Sequence, residues 1–251
     1  MIPVIDGDLI AYRCAASCQK QGVVVEDFGI ACARADNLIM NIEDAVGASG
    51  NRQIFLSGGE NFRKLIYPDY KANRKEQERP HYLEPLREWL VTEWGAKVTD
   101  GIEADDAMGI AQTSAGHAKT IICSLDQDMR QVPGWHYSWE IQGTGSTGNK
   151  WTKEANKIFV TEMGGLFSFY WQLVMGDRAD NVPGFDGKMR QTVPKFLEPH
   201  YENMLELETE QELFNYVKEI YQLPVVQMLA HGACLWVQRY EGEKWLEKGK
   251  Q

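Results

Sequence analysis

Four acidic motifs, far apart along the chain, constrain its fold more than any other feature of the sequence. Residues 101–106 read GIEADD, with Glu103, Asp105 and Asp106 directly ahead of an apolar, helix-like run (Ala107, Met108, Ile110, Ala111). Asp6 and Asp8 stand in VIDGD, Asp126 and Asp128 in SLDQD, and Asp177 and Asp180 in GDRADN. Acids at the start of a helix are common, because they complement its dipole. Yet Glu103 and Asp106, three apart on one face, repel by roughly a few tenths of a kcal/mol. If the chain gathers all four motifs, so many close carboxylates stay ionised only around divalent metal.

The pattern of apolar residues says how they could meet. Residues 2–5 form a short apolar run ending in Asp-Gly, which suits a buried strand with Asp6 at its carboxyl end. Residues 9–16 read as helix and 23–25 as a short strand or loop. A helix is expected over 28–46 from the spacing of Ile30, Leu38, Ile39, Ile42, Ala45 and Val46, stopped by Gly47 and Gly50. A second strand is expected at 53–56, and the polar, basic stretch 67–80 reads as a surface loop or mobile arm. Helix resumes over 81–94 through Leu83, Leu86, Trp89, Leu90 and Trp94, followed by a short strand around 96–99 and the helix opened by GIEADD. TIICS at 120–124 is the clearest buried strand; another is expected at 136–141, then a flexible turn at 143–150. The alternation predicts an α/β domain with a mostly parallel sheet over residues 1–151. Asp6 and Asp126 then lie just beyond strand carboxyl ends, where such sheets build their sites. After Thr152 only helix-like periodicity remains, so 152–251 is predicted to be all-α.

With 251 residues, 43% of them hydrophobic, the chain has material for a substantial core. No apolar run approaches the roughly 18 to 20 residues that span a bilayer. The opening MIPVIDGD lacks the basic and apolar segments of a signal peptide, so a cytoplasmic location is expected, the host cytoplasm if the chain is phage-encoded. Cys14, Cys18, Cys32, Cys123 and Cys234 show no CxxC pair and are expected to be reduced thiols, the first two in the core. The formal charge of −10 argues at first sight against a polyanionic partner. Metal would neutralise the clustered acids, however, and Arg63, Lys64, Lys71, Arg74, Lys75 and Arg79 concentrate positive charge in one segment, where the local field steers a substrate.

Carboxylates that hold two divalent ions about 3.5 to 4 Å apart can serve both the attacking and the leaving oxygen of a phosphodiester displacement. Magnesium prefers oxygen ligands and keeps several waters, which suits acids acting partly through water. No convincing Ser/His/Asp or Cys/His arrangement competes with metal-assisted hydrolysis.

In this order, VIDGD, PDYKANR (68–74), GIEADDA, SLDQD and GDRADNVPG resemble the motifs of the 5′ nuclease superfamily. That superfamily contains flap endonucleases, the 5′ nuclease domain of bacterial DNA polymerases and bacteriophage 5′→3′ exonucleases. The resemblance covers residues 2–192; each motif alone is weak, and the ordered set is specific. It implies a PIN-like α/β domain with an arch loop over about residues 60–90, and an H3TH-like, duplex-gripping motif at about 171–198 in the helical region. It also implies Mg²⁺- or Mn²⁺-dependent hydrolysis of DNA at or near a 5′ end, on nicked or flapped duplex; a monomer is expected. Asp6, Glu103, Asp105 and Asp126 would hold the first ion, with Asp106 close by, and Asp128, Asp177 and Asp180 the second. Tyr70 would stack on a base, Lys71 would stabilise the scissile phosphate as charge develops, and Arg74 would bind phosphate.

This chain departs from the family pattern at three places. Ser57 stands where an Asp usually follows the second strand, with Glu60 the nearest acid beyond it. GFDGKMRQT places Met189 and Gln191 at the second Gly and the Lys of the family's hairpin, leaving Lys188 and Arg190 to contact DNA and bearing on the K⁺ ion often bound there. The arch is short. Asp8 is additional and is expected to cap the helix over 9–16. Two rivals explain less: a haloacid-dehalogenase-type phosphatase built on VIDGD and GDRAD, and a nuclease-like DNA-binding protein that has lost catalysis.

Overall fold

The computed structural model describes residues 1–48, 50–74, 78–144 and 149–245. In chain order the elements are β1 (Ile2–Asp6), α1 (Gly7–Ala16), β2 (Gln19–Lys20), β3 (Val23–Val24), α2 (Phe28–Val46), β4 (Gln53–Leu56), α3 (Arg63–Ile66), α4 (Leu83–Trp94), β5 (Lys97–Val98) and α5 (Ala104–Ala115). There follow β6 (Thr120–Cys123), β7 (Gly134–Ser138), β8 (Ile141–Thr144), β9 (Lys150–Lys153), β10 (Asn156–Val160), α6 (Glu162–Met175), α7 (Glu198–Leu205), α8 (Glu210–Ile220) and α9 (Val225–Leu235).

The central sheet has the order β10-β7-β6-β1-β4-β5, and every pairing is parallel except that of β10 with β7. Strands β1, β4 and β6 carry unbroken apolar stretches, Ile2 to Ile5, Ile54 to Leu56 and Ile121 to Cys123, because both faces are covered. Ile5, Ile54, Ile121 and Cys123 face a core shared with α1, α2 and α4. Val4, Phe55 and Ile122, one position out of step, face Ala104 and Met108 of α5 and Val237 near the chain end. At Gly7 a Cβ would stand 2.6 Å from the Phe55 carbonyl, so only glycine lets α1 start directly from β1 beside β4.

Two regions differ from the sequence reading. The strand expected at 136–141 is two strands, β7 and β8, and the sheet continues past Thr152 into β10. β10 is an edge strand with Asn156, Lys157 and Phe159 exposed, and only Val160 of its short apolar stretch is buried. Of the turn expected at 143–150, residues 145–148 lie outside the described residues, as do 75–77 of the polar stretch. Asp8 is also not the cap of α1: Asp6 is, accepting from the Leu9 N–H at 3.0 Å.

The helices from α6 onward enclose a second core, with Phe169 of α6 edge-on to Trp236 and Trp245. Between α6 and α7 lies a loop knitted by an Asp177–Val182 bridge and by the Arg190 N–H on the Met175 carbonyl. All five cysteines are free and buried. Among the described residues no helix is long and apolar enough to cross a membrane.

Candidate active site

All four acidic motifs open into one cleft of about 630 Å³ at the carboxyl ends of β1, β4 and β6. Asp6, Asp8, Glu103, Asp105, Asp126, Asp128, Asp177 and Asp180 line it, together with Lys71 and Arg74.

On the sheet side Asp6, Asp105 and Asp126 make no ion pair among the described residues. Asp6, at the end of β1, accepts from Leu9 and from the Ser124 hydroxyl at 2.8 Å. Burial, with the nearby Asp126 charge, still lifts its carboxyl to about 6. The Ser124 hydroxyl also accepts from the Asp126 N–H at 3.0 Å, and Asp126 in turn accepts from the Asp128 N–H at 2.9 Å. One hydroxyl thus ties the ends of β1 and β6 together. Asp105 accepts no hydrogen bond among the described residues, and burial, then Asp6 and Asp126, push its carboxyl well above the ordinary range. Asp128 is raised too, by burial and then by Asp126 and Asp177. Asp177 accepts from Ala179 at 2.6 Å, Asp180 at 3.0 Å and Gln172 at 2.9 Å, which fixes the turn that presents both Asp177 and Asp180 to the cleft.

The helical side is compensated. Glu103 accepts from Lys71 Nζ at 2.6 Å and Asn61 Nδ2 at 2.8 Å on one oxygen, and from the Tyr70 hydroxyl at 2.9 Å on the other. Burial raises Glu103, but Lys71 and Arg63 outweigh it and hold the carboxyl below its usual value. Asp180 accepts from Arg74 at 2.7 Å and stands 3.6 Å from Lys71 Nζ. The Tyr70 hydroxyl is also 2.7 Å from Asp180, and its single proton can serve only one of the two carboxylates at a time. Lys71 has φ +55°, an uncommon conformation for a side chain of its size, kept in place by its N–H on the Asp180 carbonyl at 2.8 Å.

Several residues stand elsewhere than the sequence suggests. Asp106 is fully buried, forked to Arg63 at 2.6 and 2.8 Å, and accepts further from the Glu103 and Gln238 N–H groups. Four donors fill its oxygens, so it does not face the cleft as a ligand. Arg63 is therefore a buried residue and not part of the exposed basic arm; it also bonds the Cys234 and Trp236 carbonyls, tying the chain end to α5. Tyr70 is only 2% exposed and has no open ring face for a base. Arg190 is paired with Asp186 and packed on Phe185 and Phe196, whereas the Lys188 side chain is 76% exposed. Asp8 pairs with Arg87 and accepts from the Ser57 N–H at 2.8 Å. The Ser57 hydroxyl accepts from the Ala104 N–H at 2.9 Å, a capping bond at the start of α5. Sequence reasoning missed Asn61, Ser124 and Tyr12. Tyr12 is an exposed aromatic on the cleft wall, six positions past Asp6 on α1.

The donor set suits a hard dication: oxygen only, concentrated, and with Asp105 accepting no hydrogen bond among the described residues. Among the described residues no three acidic, His or Cys side chains already form a tight cage. Ions there would be held partly through water, as Mg²⁺ commonly is.

A mostly parallel sheet with an acidic cleft at its carboxyl end, joined to a helical region, defines a resolvase-like, PIN-type α/β protein. The family of the 5′-3′ exonuclease, N-terminal resolvase-like domain, matches residues 1–156, and the chain belongs to it. The phosphatase reading of VIDGD falls with that membership. The chain is 25% identical over 201 residues to the exodeoxyribonuclease of Enterobacteria phage T3, covering 74% of this chain and 63% of that protein. It is 25% identical over 256 residues to a 5′-3′ exonuclease of Buchnera aphidicola, covering 98% of this chain and 83% of the relative. The chain thus spans just under two thirds of the length of the phage relative. In fold it is similar to the bacteriophage T5 5′-exonuclease with bound zinc, at a TM-score of 0.59 and 16% identity over 93% of this chain and 88% of that one.

Proposed function

We propose that this protein is a dication-dependent 5′→3′ exodeoxyribonuclease that also cuts 5′ flaps. The observation that carries the reading is the convergence of four distant acidic motifs on one cleft, with Lys71 and Arg74 laid across it. The phage and bacterial relatives named as exonucleases support it.

Bound in the cleft, Mg²⁺ or Mn²⁺ would supply an activated water and neutralise charge on the attacking and leaving oxygens. Asp6, Asp105 and Asp126 would hold the first ion, with Glu103 behind them; Asp128, Asp177 and Asp180 would hold the second. Lys71 swings from Glu103 to the scissile phosphate and donates to its oxygens as charge builds, and Arg74 grips the adjacent phosphate. Tyr12 offers the aromatic face that buried Tyr70 does not. Lys188 contacts the duplex backbone from the loop between α6 and α7. A K⁺ ion in that loop, nicked or flapped duplex as the preferred substrate, a monomeric state and a cytoplasmic location complete the proposal.

Ser57 favours a second reading, a DNA-binding protein with impaired catalysis, because it removes a carboxylate from the cleft wall. Digestion of 5′-labelled and 3′-labelled flap, nicked and blunt duplexes with Mg²⁺ separates the two. Mononucleotides released from the 5′ end, with cuts at flap junctions, support the nuclease. Tight binding without cleavage selects the impaired protein.

A further inference from the structure

The carboxyl end of the sheet is bordered on two sides. On the β4 side the chain leaves Leu56 and lays Lys71 and Arg74 over the cleft. On the other side the β8–β9 hairpin rises from the same end, because β7 runs parallel to β6 and β10 returns antiparallel with Asn156 paired to Ser138. Nothing in the proposed reaction uses this hairpin.

Its register sets Ile141 opposite Lys153 and Gly143 opposite Trp151, so these four positions share one face and Lys150 and Thr152 point to the other. Ile141 packs against the core and anchors the base. The Trp151 indole lies across Gly143, where a Cβ would come within 2.3 Å of the ring, and the residue remains 47% exposed. On the same face, Lys153 lines a small cavity of about 20 Å³ with Arg130, Asn156, Asp126 and Gln127, the last two of which also line the catalytic cleft. The hairpin face and the cleft are therefore neighbours that share Asp126 and Gln127. Arg130 and Lys153 outnumber Asp126 as the small cavity's charged groups, although the exposed Glu140 and Glu154 flank the hairpin. An aromatic platform followed by cations is the chemistry that recognises unpaired bases and their phosphates without regard to sequence.

We propose that the Trp151–Lys153 face of the hairpin, with Arg130, binds single-stranded DNA on the side of the cleft away from Lys71 and Arg74. The inference rests on the nuclease reading of the cleft but concerns a separate surface. Its test is fluorescence anisotropy of a labelled oligothymidine in Ca²⁺, over a salt series, for wild type, Trp151→Ala, Lys153→Ala and Lys150→Ala. Trp151→Ala should weaken binding about tenfold through the lost stacking. Lys153→Ala should lower the slope of log affinity against log salt by about 0.7. Lys150→Ala, the same charge change on the opposite face, should do neither, and all three variants should cut blunt duplex at the wild-type rate. Wild-type affinity in Trp151→Ala, or an equal change of slope in Lys150→Ala and Lys153→Ala, would overturn the proposal. Failure of the wild type to bind DNA at all would instead sink the nuclease reading beneath it.

Discussion

Along the sheet side of the cleft, Asp6, Asp105 and Asp126 face one another, and none makes an ion pair among the described residues. Across from them Glu103 and Asp180 are ringed by Asn61, Tyr70, Lys71 and Arg74. Both sides belong to the same pocket and carry the same kind of charge. The protein neutralises one side with its own cations and, among the described residues, pairs none with Asp6, Asp105 or Asp126 on the other. In the proposed mechanism the first dication sits among the uncompensated acids, while the PDYKANR segment docks on the compensated side. Asp105 and Asp106, neighbours in the first turn of α5, show the contrast at its sharpest: among the described residues one has no hydrogen-bond donor and the other has four.

The comparison can be broken most directly on the uncompensated side. Asp126→Asn should cut Mg²⁺-dependent cleavage about a thousandfold, roughly 4 kcal/mol of lost transition-state stabilisation, measured in single turnover. The same variant should melt higher than wild type without metal, because it removes one of the repelling charges. On the compensated side, Arg63→Met leaves Asp106 buried and unpaired and should cost about 3 kcal/mol in urea unfolding. A near-wild-type midpoint would show that the pair carries little. Lys71→Ala should slow the chemical step about ten- to a hundredfold with little change in DNA affinity. Equal losses in rate and affinity would make Lys71 a binding residue only.

The smallest effect is in pH. Asp6 has a folded-state value of about 6 against 3.8, so its ionised form is disfavoured in the native protein. Its contribution to stability is present below the unfolded value and is lost as pH rises through about 6. The metal-free protein should therefore lose thermal stability between about pH 4 and pH 6 from this group, and Mg²⁺ should restore it above that range. A melting temperature in Asp6→Asn with the same dependence on pH as wild type would assign the change to other groups.

How much of this was legible in the sequence depends on what each residue packs against. The inner strands were readable because burial on both faces demands unbroken apolar runs, as in IPVID and TIIC. The acidic motifs were readable as candidates because three of them follow a strand or open a helix, and the fourth, GDRADN, follows the end of α6. Which oxygen faces the cleft was not. Asp105 and Asp106 differ only by rotation around a helix, and the partner of Asp106 lies 43 positions away at Arg63. The same holds for Tyr70, whose burial depends on Glu103 and Asp180 meeting over it. β10 escaped notice because an edge strand needs no apolar alternation when one flank is open. Asp6 rather than Asp8 caps α1 because helix geometry begins at Gly7, one residue after the strand ends.

The central claim is that acids from four distant motifs form one dication site, and metal binding without DNA tests it most directly. Mn²⁺ titration followed by calorimetry should give two ions per chain for wild type, with one weakened in Asp126→Asn and the other in Asp177→Asn, each variant still folded by circular dichroism. No saturable binding by the wild type, or identical isotherms for all three proteins, would contradict it.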